Sequence, residues 1–164
     1  IIDPNTTYIY DNVRIGQDTI IRPCTVIENN VTIGTQCVIG PFARIRPGTK
    51  IGNRVEIGNF AEVSRSVMGE RCFMKHFSFL GDARVGRDVN IGAGVVTANY
   101  DGKHKNQTRV GARAFVGSDS ILVAPVEIGP DAMTAAGCVV IRGTKVPSGS
   151  VIMGVPGRIR KKKE

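Results

Sequence analysis

Aliphatic residues recur at every sixth position along most of the chain. The first series runs from Ile9 to Val63 with an aliphatic residue at each of its ten places. A small or β-branched residue stands two positions before each of them, and Gly often follows. Neither the 3.6-residue period of a helix nor the alternation of a plain strand gives this spacing. The pattern is typical of hexapeptide repeats, which form parallel β-helices of short strands.

The period then shifts frame and is interrupted once, but it continues almost to the end of the chain. Four frames contain 24 hexads, which predict an all-β fold of about eight triangular coils of 18 residues. At the β-strand spacing of about 4.8 Å, the prism is roughly 40 Å long. Residues 18 apart are expected directly above one another. The later inward positions are Met68, Met74, Leu80, Val85, Ile91, Thr97, Val110, Val116, Leu122, Ile128, Thr134, Val140, Val146 and Ile152.

Two segments break the repeat. Residues 98–109, ANYDGKHKNQTR, are polar and charged, and we expect a loop that projects from a corner of the coil. The end of the chain is expected to leave the coil through Pro147 and Pro156 as a cap and basic tail. The predicted organisation is therefore one β-helix domain at 1–152, followed by a cap and tail at 153–164.

Composition narrows the class of protein further. Aromatic residues make up 5% of the chain and Gly occurs 20 times, which suits a narrow, turn-rich structure. Every long uncharged stretch contains Gly, Ser or Thr, so no membrane span is expected. The first residues, IIDPNTTYIYDN, lack the features of a secretory signal, and a cytoplasmic protein is expected. The sequence leaves open whether a nucleotidyltransferase domain precedes this chain.

The net charge of +8 is unevenly distributed. Half of the excess, +4, lies in the last seven residues, RIRKKKE. A basic tail suits contact with nucleic acid or a membrane surface. A solvated terminus is the simpler interpretation, and neither nucleic acid nor a membrane is the expected partner.

Cysteine and histidine are too sparse for a metal or disulfide framework. Cys37, Cys72 and Cys138 take small inward positions and no CxxC spacing exists, so no metal site is expected. Two histidines cannot supply the three zinc ligands of a β-helical carbonic anhydrase. His76 lies off the inward position and is a candidate general base, with a structural imidazole as the alternative. His104 lies between two lysines and is expected to be solvated.

Arg46 and Ser64 are a candidate pair in space. They are 18 residues apart, so they are expected to stack at one corner in successive coils. The planar guanidinium of Arg46 is suited to binding a phosphate. An exposed corner arginine with no ligand is the alternative.

Several segments together resemble one known family. They look like the acetyltransferase half of the bifunctional uridyltransferase and glucosamine-1-phosphate acetyltransferase that makes UDP-N-acetylglucosamine. The resemblance covers about residues 31–140, and VNIGAG followed by NYDG is not required by the hexapeptide rule. The segments are GPFARIRPG (40–48), IGNFAEV (57–63), HFSFLGDARVG (76–86), VNIGAG (89–94), ANYDG (98–102) and VGSDSILVAPVEIG (116–129).

This resemblance implies a fold, an assembly and a reaction. The fold is a left-handed parallel β-helix, and the assembly is a homotrimer with active sites between neighbouring subunits. Acetyl-CoA is the implied donor, and the amine of an amino sugar phosphate, most like glucosamine 1-phosphate, is the implied acceptor. Acetyl transfer of this kind needs no metal.

The resemblance also implies roles for individual residues. His76 falls on the catalytic base. The acceptor positions are Arg46 and Lys105 for the sugar phosphate, Asn90 for the sugar, and Asn99 and Tyr100 near the reacting acetyl group. The coenzyme positions are Ala93, Ser118, Ala136 and, more loosely, Arg158 in the GVPGRIRK ending.

Two positions depart from the family pattern. The family has Lys where this chain has Ser64, and Tyr where it has Phe79. Both family residues bind the sugar phosphate, so this chain lacks one cation and one hydroxyl. A hydrogen bond to a charged group contributes about 1.5 to 3 kcal/mol, enough to change the acceptor. Arg65 or Lys75 is a candidate replacement for the missing cation.

Three functions are compatible with these residues. The first is the acetyl-CoA-dependent N-acetyltransferase just described. The second is a non-catalytic trimerisation or ligand-binding domain, such as the C-terminal part of a sugar-phosphate nucleotidyltransferase. The third is an adaptor that uses the basic tail on nucleic acid or a membrane surface. No Gly-rich nucleotide-binding segment is present, so nucleotidyl transfer is not expected within these residues.

Overall fold

The computed structural model describes residues 1–161 and contains only strands there. The chain passes in turn through three parallel sheets, called A, B and C, which form the sides of a triangular prism. Three strands make one coil, and eight coils follow one another with a left-handed winding. The prediction of an eight-coil β-helix is therefore confirmed.

The strands are short and their bounds repeat regularly. Sheet A contains β1 (Tyr8–Ile9), β4 (Val26–Ile27), β7 (Arg44–Ile45), β10 (Glu62–Ser64), β13 (Phe79–Gly81), β16 (Val96–Ala98), β19 (Ile121–Val123) and β22 (Val139–Val140). Sheet B contains β2 (Arg14–Ile15), β5 (Thr32–Ile33), β8 (Lys50–Ile51), β11 (Val67–Met68), β14 (Ala83–Val85), β17 (Thr108–Val110), β20 (Val126–Ile128) and β23 (Lys145–Val146). Sheet C contains β3 (Ile20–Ile21), β6 (Val38–Ile39), β9 (Glu56–Ile57), β12 (Phe73–Met74), β15 (Asn90–Ile91), β18 (Phe115–Val116), β21 (Met133–Thr134), β24 (Ser150–Met153) and the antiparallel β25 (Arg158–Lys161).

The core is a column of aliphatic side chains along the axis of the prism. The predicted inward residues from Ile21 to Ile152 are buried, whereas Ile15 in the first coil is 36% exposed. The smaller inward residues are buried beside them, among them Cys37, Cys72 and Cys138. Burial raises the pKa of the Cys72 thiol to about 11. Because burial favours the neutral thiol, this cysteine is a packing residue.

Most corners turn through one residue with left-handed backbone geometry. Asn12, with a φ of 57°, is an example at the corner between sheets A and B. At the corner between sheets B and C, four such residues carry alternating charges in successive coils. These are Arg71, Asp88, Arg113 and Asp131. The Nε atom of Arg71 donates to Asp88 at 2.6 Å, and that of Arg113 donates to Asp131 at 2.7 Å.

The two irregular segments differ from the sequence prediction in detail. Ala98 belongs to β16, and Thr108 and Arg109 belong to β17, so the loop covers residues 99–107 only. The predicted bounds were too wide because Thr108 still takes the small inward position of a hexad and is fully buried. At the end of the chain, the coil continues past Pro147 to Met153 before it leaves the repeat.

The segment after the last coil is ordered as a strand. It turns back so that β25 pairs antiparallel with β24 at the edge of sheet C. Residues 162–164, the end of the predicted basic tail, lie outside the described residues. No helix in residues 1–161 is long and apolar enough to cross a membrane.

The three outer faces differ in character. We call the outer surfaces of sheets A, B and C face A, face B and face C. Face A is apolar from the fifth coil onward. Face C is mostly apolar, whereas face B is basic. The outward residues of face A in those coils are Phe79, Val96, Ile121 and Val139. The outward residues of face B are Arg14, Thr32, Lys50, Val67, Arg84, Arg109, Glu127 and Lys145.

Candidate functional site

Four of the predicted site residues form one column at the C–A corner, where sheet C meets sheet A. The pairing of sheet C strands places His76, Ala93, Ser118 and Ala136 at the same corner position of successive coils. The amide of Asp119 donates to the carbonyl oxygen of Ala93 at 2.7 Å, which ties two of these coils together. The three small residues extend this column by about 14 Å beyond the imidazole.

The corner that carries His76 departs from the turn used elsewhere along this edge. Cys24, Phe42 and Phe60 hold the left-handed position in earlier coils, with φ of 58°, 56° and 55°. Phe77, the equivalent residue after His76, does not adopt positive φ. The repeat therefore changes its local geometry at the one histidine of this edge.

This altered turn packs closely on the preceding coil. A Cβ atom at Gly58 would overlap the carbonyl oxygen of Lys75, so only Gly allows this approach. The Lys75 amine pairs with Glu56 at 3.0 Å on face C. Lys75, His76 and Phe60 border a shallow groove of about 330 Å³ along the corner. The imidazole is thus exposed beside a surface groove.

Arg46 lies at the A–B corner, where sheet A meets sheet B. Its Nη1 atom donates to Glu62 at 2.9 Å, and its Nε atom is buried without a partner. The register of β7 and β10 continues from their paired residues to Arg46 and Ser64, so the predicted stacking of these two is confirmed. Ser64 itself is fully buried.

Arg65, Asp82 and Asn99 form a hydrogen-bonded cluster at the same corner. Arg65 donates from Nε and Nη2 to the two carboxylate oxygens of Asp82, at 2.7 and 2.9 Å, and from Nη1 to the Ser64 hydroxyl at 2.8 Å. The Asn99 amide donates to Asp82 at 2.5 Å. The Arg65 guanidinium holds the pKa of Asp82 below its usual range, with further contributions from Asn99 and Lys105. An ionised carboxylate therefore orients both Arg65 and Asn99.

Both departures from the family pattern border this cluster. Ser64 accepts a hydrogen bond from Arg65. The ring of Phe79 and the Asn99 amide both lie where a Cβ atom of Gly81 would stand, so Phe79 meets the cluster from face A. Of the two candidate replacement cations, Arg65 is in this cluster and Lys75 is at the other corner.

The loop at 99–107 leaves sheet A just beyond the cluster. Tyr100 and Lys105 form an antiparallel bridge, and the amide of Asn106 donates to the carbonyl oxygen of Asn99 at 2.7 Å. Tyr100 is 61% exposed, and its hydroxyl donates to the carbonyl oxygen of Gly102 at 2.6 Å. The loop is therefore a short hairpin that presents Tyr100 and Lys105 to solvent.

The remaining two predicted residues lie near the C–A corner. Asn90 is half-buried on face C, in the coil that also carries Ala93. Arg158 begins β25 and is exposed opposite Met153, one coil beyond Ala136. The structure thus sorts the predicted residues into two sets at opposite edges of sheet A. Within one protomer, the width of this sheet separates His76 from Arg46 and the loop.

Sequence reasoning missed two parts of this arrangement. Asp82 could have been predicted as a neighbour of Arg65, because it follows Arg65 by one coil at the same corner. Arg142 could not, because it reaches Asp101 in the loop from far along the sequence. Nothing in the hexad pattern distinguishes Arg142 from any other corner residue.

Comparisons with known proteins agree with this architecture. A family model described as GMPPB C-terminal domain matches residues 3–100, and one described as hexapeptide repeat of succinyl-transferase matches 107–142. The bifunctional protein GlmU of Pelobacter propionicus is 52% identical over 55% of this chain and 19% of its own length. The bifunctional protein GlmU of Thermotoga petrophila is 40% identical over 85% of this chain and 39% of its own length. The chain therefore spans well under half of these relatives.

Solved structures share the fold at low sequence identity. The UDP-N-acetylglucosamine acyltransferase of Campylobacter jejuni is similar with a TM-score of 0.66 and 19% identity, over 98% of this chain and 74% of that one. A perosamine N-acetyltransferase mutant of Caulobacter crescentus, in complex with CoA and GDP-perosamine, has a TM-score of 0.51 and 20% identity over 84% and 70%. Both likenesses concern the fold.

Proposed function

The chain belongs to the family described as GMPPB C-terminal domain, and we propose that it is an acetyl-CoA-dependent N-acetyltransferase of an amino sugar phosphate. The observation that carries the proposal is the column at the C–A corner, which begins at an exposed histidine and continues as small residues. Relatives named bifunctional protein GlmU and the resemblance at NYDG support the same reaction.

In the proposed reaction, His76 acts as the general base. The acceptor amine attacks the thioester carbonyl carbon while the imidazole removes a proton from the nitrogen. A new carbon–nitrogen bond forms and the carbon–sulfur bond breaks. The proton then passes from the imidazolium to the departing CoA thiolate, so the histidine returns to its neutral form. No oxidant, reductant or metal takes part.

Acetyl-CoA is the proposed donor, and the column provides its binding track. Ala93, Ser118 and Ala136 add little bulk to the corner, so an extended pantetheine arm can lie along them with its thioester near His76. Arg158 stands beyond the far end of the track, where its cation suits the phosphates of the coenzyme. The solved neighbour in complex with CoA has the same fold, which supports this donor.

The cations of the A–B corner are the proposed site for the acceptor's phosphate. Arg46, Arg65 and Lys105 follow one another along this edge, and Asp82 keeps the Arg65 guanidinium oriented. Arg65 stands next to the buried Ser64, where the family has a lysine. We therefore assign Arg65 as the cation that replaces it, because Arg65 lies at the A–B corner with Arg46 and Lys105, whereas Lys75 lies at the C–A corner.

A homotrimer would unite the two halves of the site. If face A points toward a threefold axis parallel to the prism, the C–A corner of one subunit meets the A–B corner of the next. Corresponding coils of the three subunits then lie at the same height along the axis, which brings His76 opposite the neighbour's Arg65. Face A is apolar in its later coils and is the face bordered by both sets of residues, whereas face B is basic. These features support a shared site between subunits.

The test is release of the CoA thiol from acetyl-CoA, followed with a thiol-reactive dye across a panel of amino sugars. The panel contains glucosamine 1-phosphate, galactosamine 1-phosphate, unphosphorylated glucosamine, and N-acetylglucosamine 1-phosphate, whose amine is already blocked. We expect turnover with a phosphorylated amino sugar and none with the blocked compound. If a protein shown to be folded and trimeric releases no CoA thiol with any of the free amines, the proposal is rejected.

One observation favours a second candidate function. The lysine and the tyrosine hydroxyl of the family's phosphate site are both absent here, at Ser64 and Phe79. A trimerisation or ligand-binding domain without catalysis needs neither group. Binding of glucosamine 1-phosphate without any thiol release would select this second function.

A further inference from the structure

The loop at 99–107 is fastened to the β-helix at two places. At its base, Asn99 donates to Asp82, as described above. At its tip, Arg142 reaches across from the last coil and donates from Nη1 to the Asp101 carboxylate at 3.0 Å. The Nη2 atom of Arg142 also approaches the Asn106 side-chain oxygen at 3.5 Å. Arg142 follows β22, two sheet A strands beyond the β16 strand that leads into the loop.

The Asp101 carboxylate is the centre of the loop. It accepts hydrogen bonds from the backbone amides of Lys103 and His104 at 3.0 and 2.7 Å, and from the Asn106 side chain at 3.0 Å. These donors, the His104 amide first, lower the pKa of Asp101 far below its usual range, and Arg142 adds to the effect. The carboxylate is therefore ionised at neutral pH.

Arg142 fixes a loop that already holds its own shape. The contacts within the loop determine its internal conformation, but they do not set its orientation on the prism. A hairpin fastened only at its base can swing about Asn99, whereas a second contact two coils away removes this freedom. We infer that Arg142 is a positioning residue, which holds the loop so that Lys105 reaches the phosphate of the acceptor. This inference rests on the proposed function for the part played by Lys105.

The energetics of the contact separate this role from a structural one. The Arg142 side chain is 53% exposed and that of Asp101 is 25% exposed. Exposed ion pairs contribute little to stability. Loss of Arg142 should therefore leave the melting temperature almost unchanged while the loop becomes more mobile. The Michaelis constant for the acceptor should rise by about two- to fivefold, because fewer molecules have the loop in place.

The test compares Arg142→Gln with Arg142→Lys in the full chain. Arg113→Gln is the matched control, because Arg113 is 51% exposed and pairs with Asp131 at the corner between sheets B and C. Hydrogen exchange of the peptide that covers residues 99–107 reports on the loop, and initial rates give KM and kcat. We expect faster exchange and a higher KM for the acceptor in Arg142→Gln, with kcat and the KM for acetyl-CoA unchanged. Arg142→Lys should recover part of both effects, and Arg113→Gln should show neither.

Three results would overturn the inference. Unchanged exchange in Arg142→Gln would show that the contact does not hold the loop. Faster exchange with an unchanged KM for the acceptor would show that the loop's position does not serve acceptor binding. If the native protein releases no thiol with any acceptor, the proposed function fails on its own. Phosphate titration of Arg142→Gln, followed through the Lys105 resonances, then decides: weaker binding supports the inference, and equal binding overturns it.

Discussion

Arg65 and His76 belong to the same coil of the β-helix but stand on opposite edges of sheet A. Arg65 follows β10 at the A–B corner, and His76 follows β12 at the C–A corner. In one protomer the width of sheet A separates the two side chains. In a trimer built around face A they lie at the same height in adjoining subunits, so the proposed site depends on assembly.

Loss of Arg65 should weaken binding of the acceptor. For Arg65→Ala we expect the KM for a phosphorylated amino sugar to rise by about tenfold or more, because a hydrogen bond to a charged group is removed. Arg113→Ala is the control, since it also removes an arginine paired with an aspartate. Adding Ser64→Lys to Arg65→Ala should restore part of the affinity. An unchanged KM in Arg65→Ala would remove Arg65 from the phosphate site.

Loss of His76 should abolish most of the turnover. General bases typically contribute about 10²- to 10⁴-fold to a rate, so His76→Ala should lower kcat within that range. His104→Ala is the control, because the contact of His104 with Asp101 uses the backbone amide, which alanine keeps. Thiol release and circular dichroism are measured on both. Full activity in His76→Ala would mean that another group removes the proton.

A charge placed on face A should prevent assembly. Ile121→Asp puts a carboxylate among the apolar outward residues of the later coils, whereas Val67→Asp puts one on the basic face B. Because an unpaired charge in an interface is costly to bury, we expect Ile121→Asp to be monomeric and inactive. Val67→Asp should remain a trimer. Light scattering checks both, and a trimeric Ile121→Asp would place the interface on another face.

The stability of the protein should fall in acid partly through Asp82. The folded state lowers the pKa of this carboxyl, chiefly through the hydrogen bond from Arg65. A depressed folded-state pKa stabilises the protein above the unfolded value of about 3.9 and is lost as the pH falls through the folded value. Asp82→Asn should therefore lose less stability between pH 5 and acid than the native protein. Denaturant melts across that range measure the difference, and parallel curves would contradict it.

The period of six was sufficient to predict the coil count and nearly every core residue, because inward aliphatic residues are what the coil needs at every turn. The period also predicted correctly that Arg46 and Ser64 stack in successive coils. The loop expected at 98–109 was too wide although the period includes Thr108, because the polar composition of the segment was given more weight than the hexad two positions before Val110. Side-chain burial at a corner depends on neighbouring coils, which the period does not describe.

The candidate site was harder to predict for the same reason. His76 and Arg46 were identified as candidates from their residue types, but the period alone did not place them on opposite edges of one sheet. The partnership of Arg65 with Asp82 follows from stacking, whereas that of Arg142 with Asp101 depends on how far the loop bends. The two residues of a contact made by a bent loop are not separated by a fixed number of positions in the sequence. Such a contact is therefore visible only in the structure.

The alternating charges at the corner between sheets B and C also distinguish one coil from another. Every coil has nearly the same outline and the same aliphatic interior, so a misplaced coil would find an acceptable hydrophobic neighbour. If one of these coils were skipped during folding, Arg71 would face Arg113 and Asp88 would face Asp131, because these four residues alternate in sign. Repulsion between like charges would disfavour that stack. Within these four coils, the order of charges therefore favours the native neighbour over the next coil along.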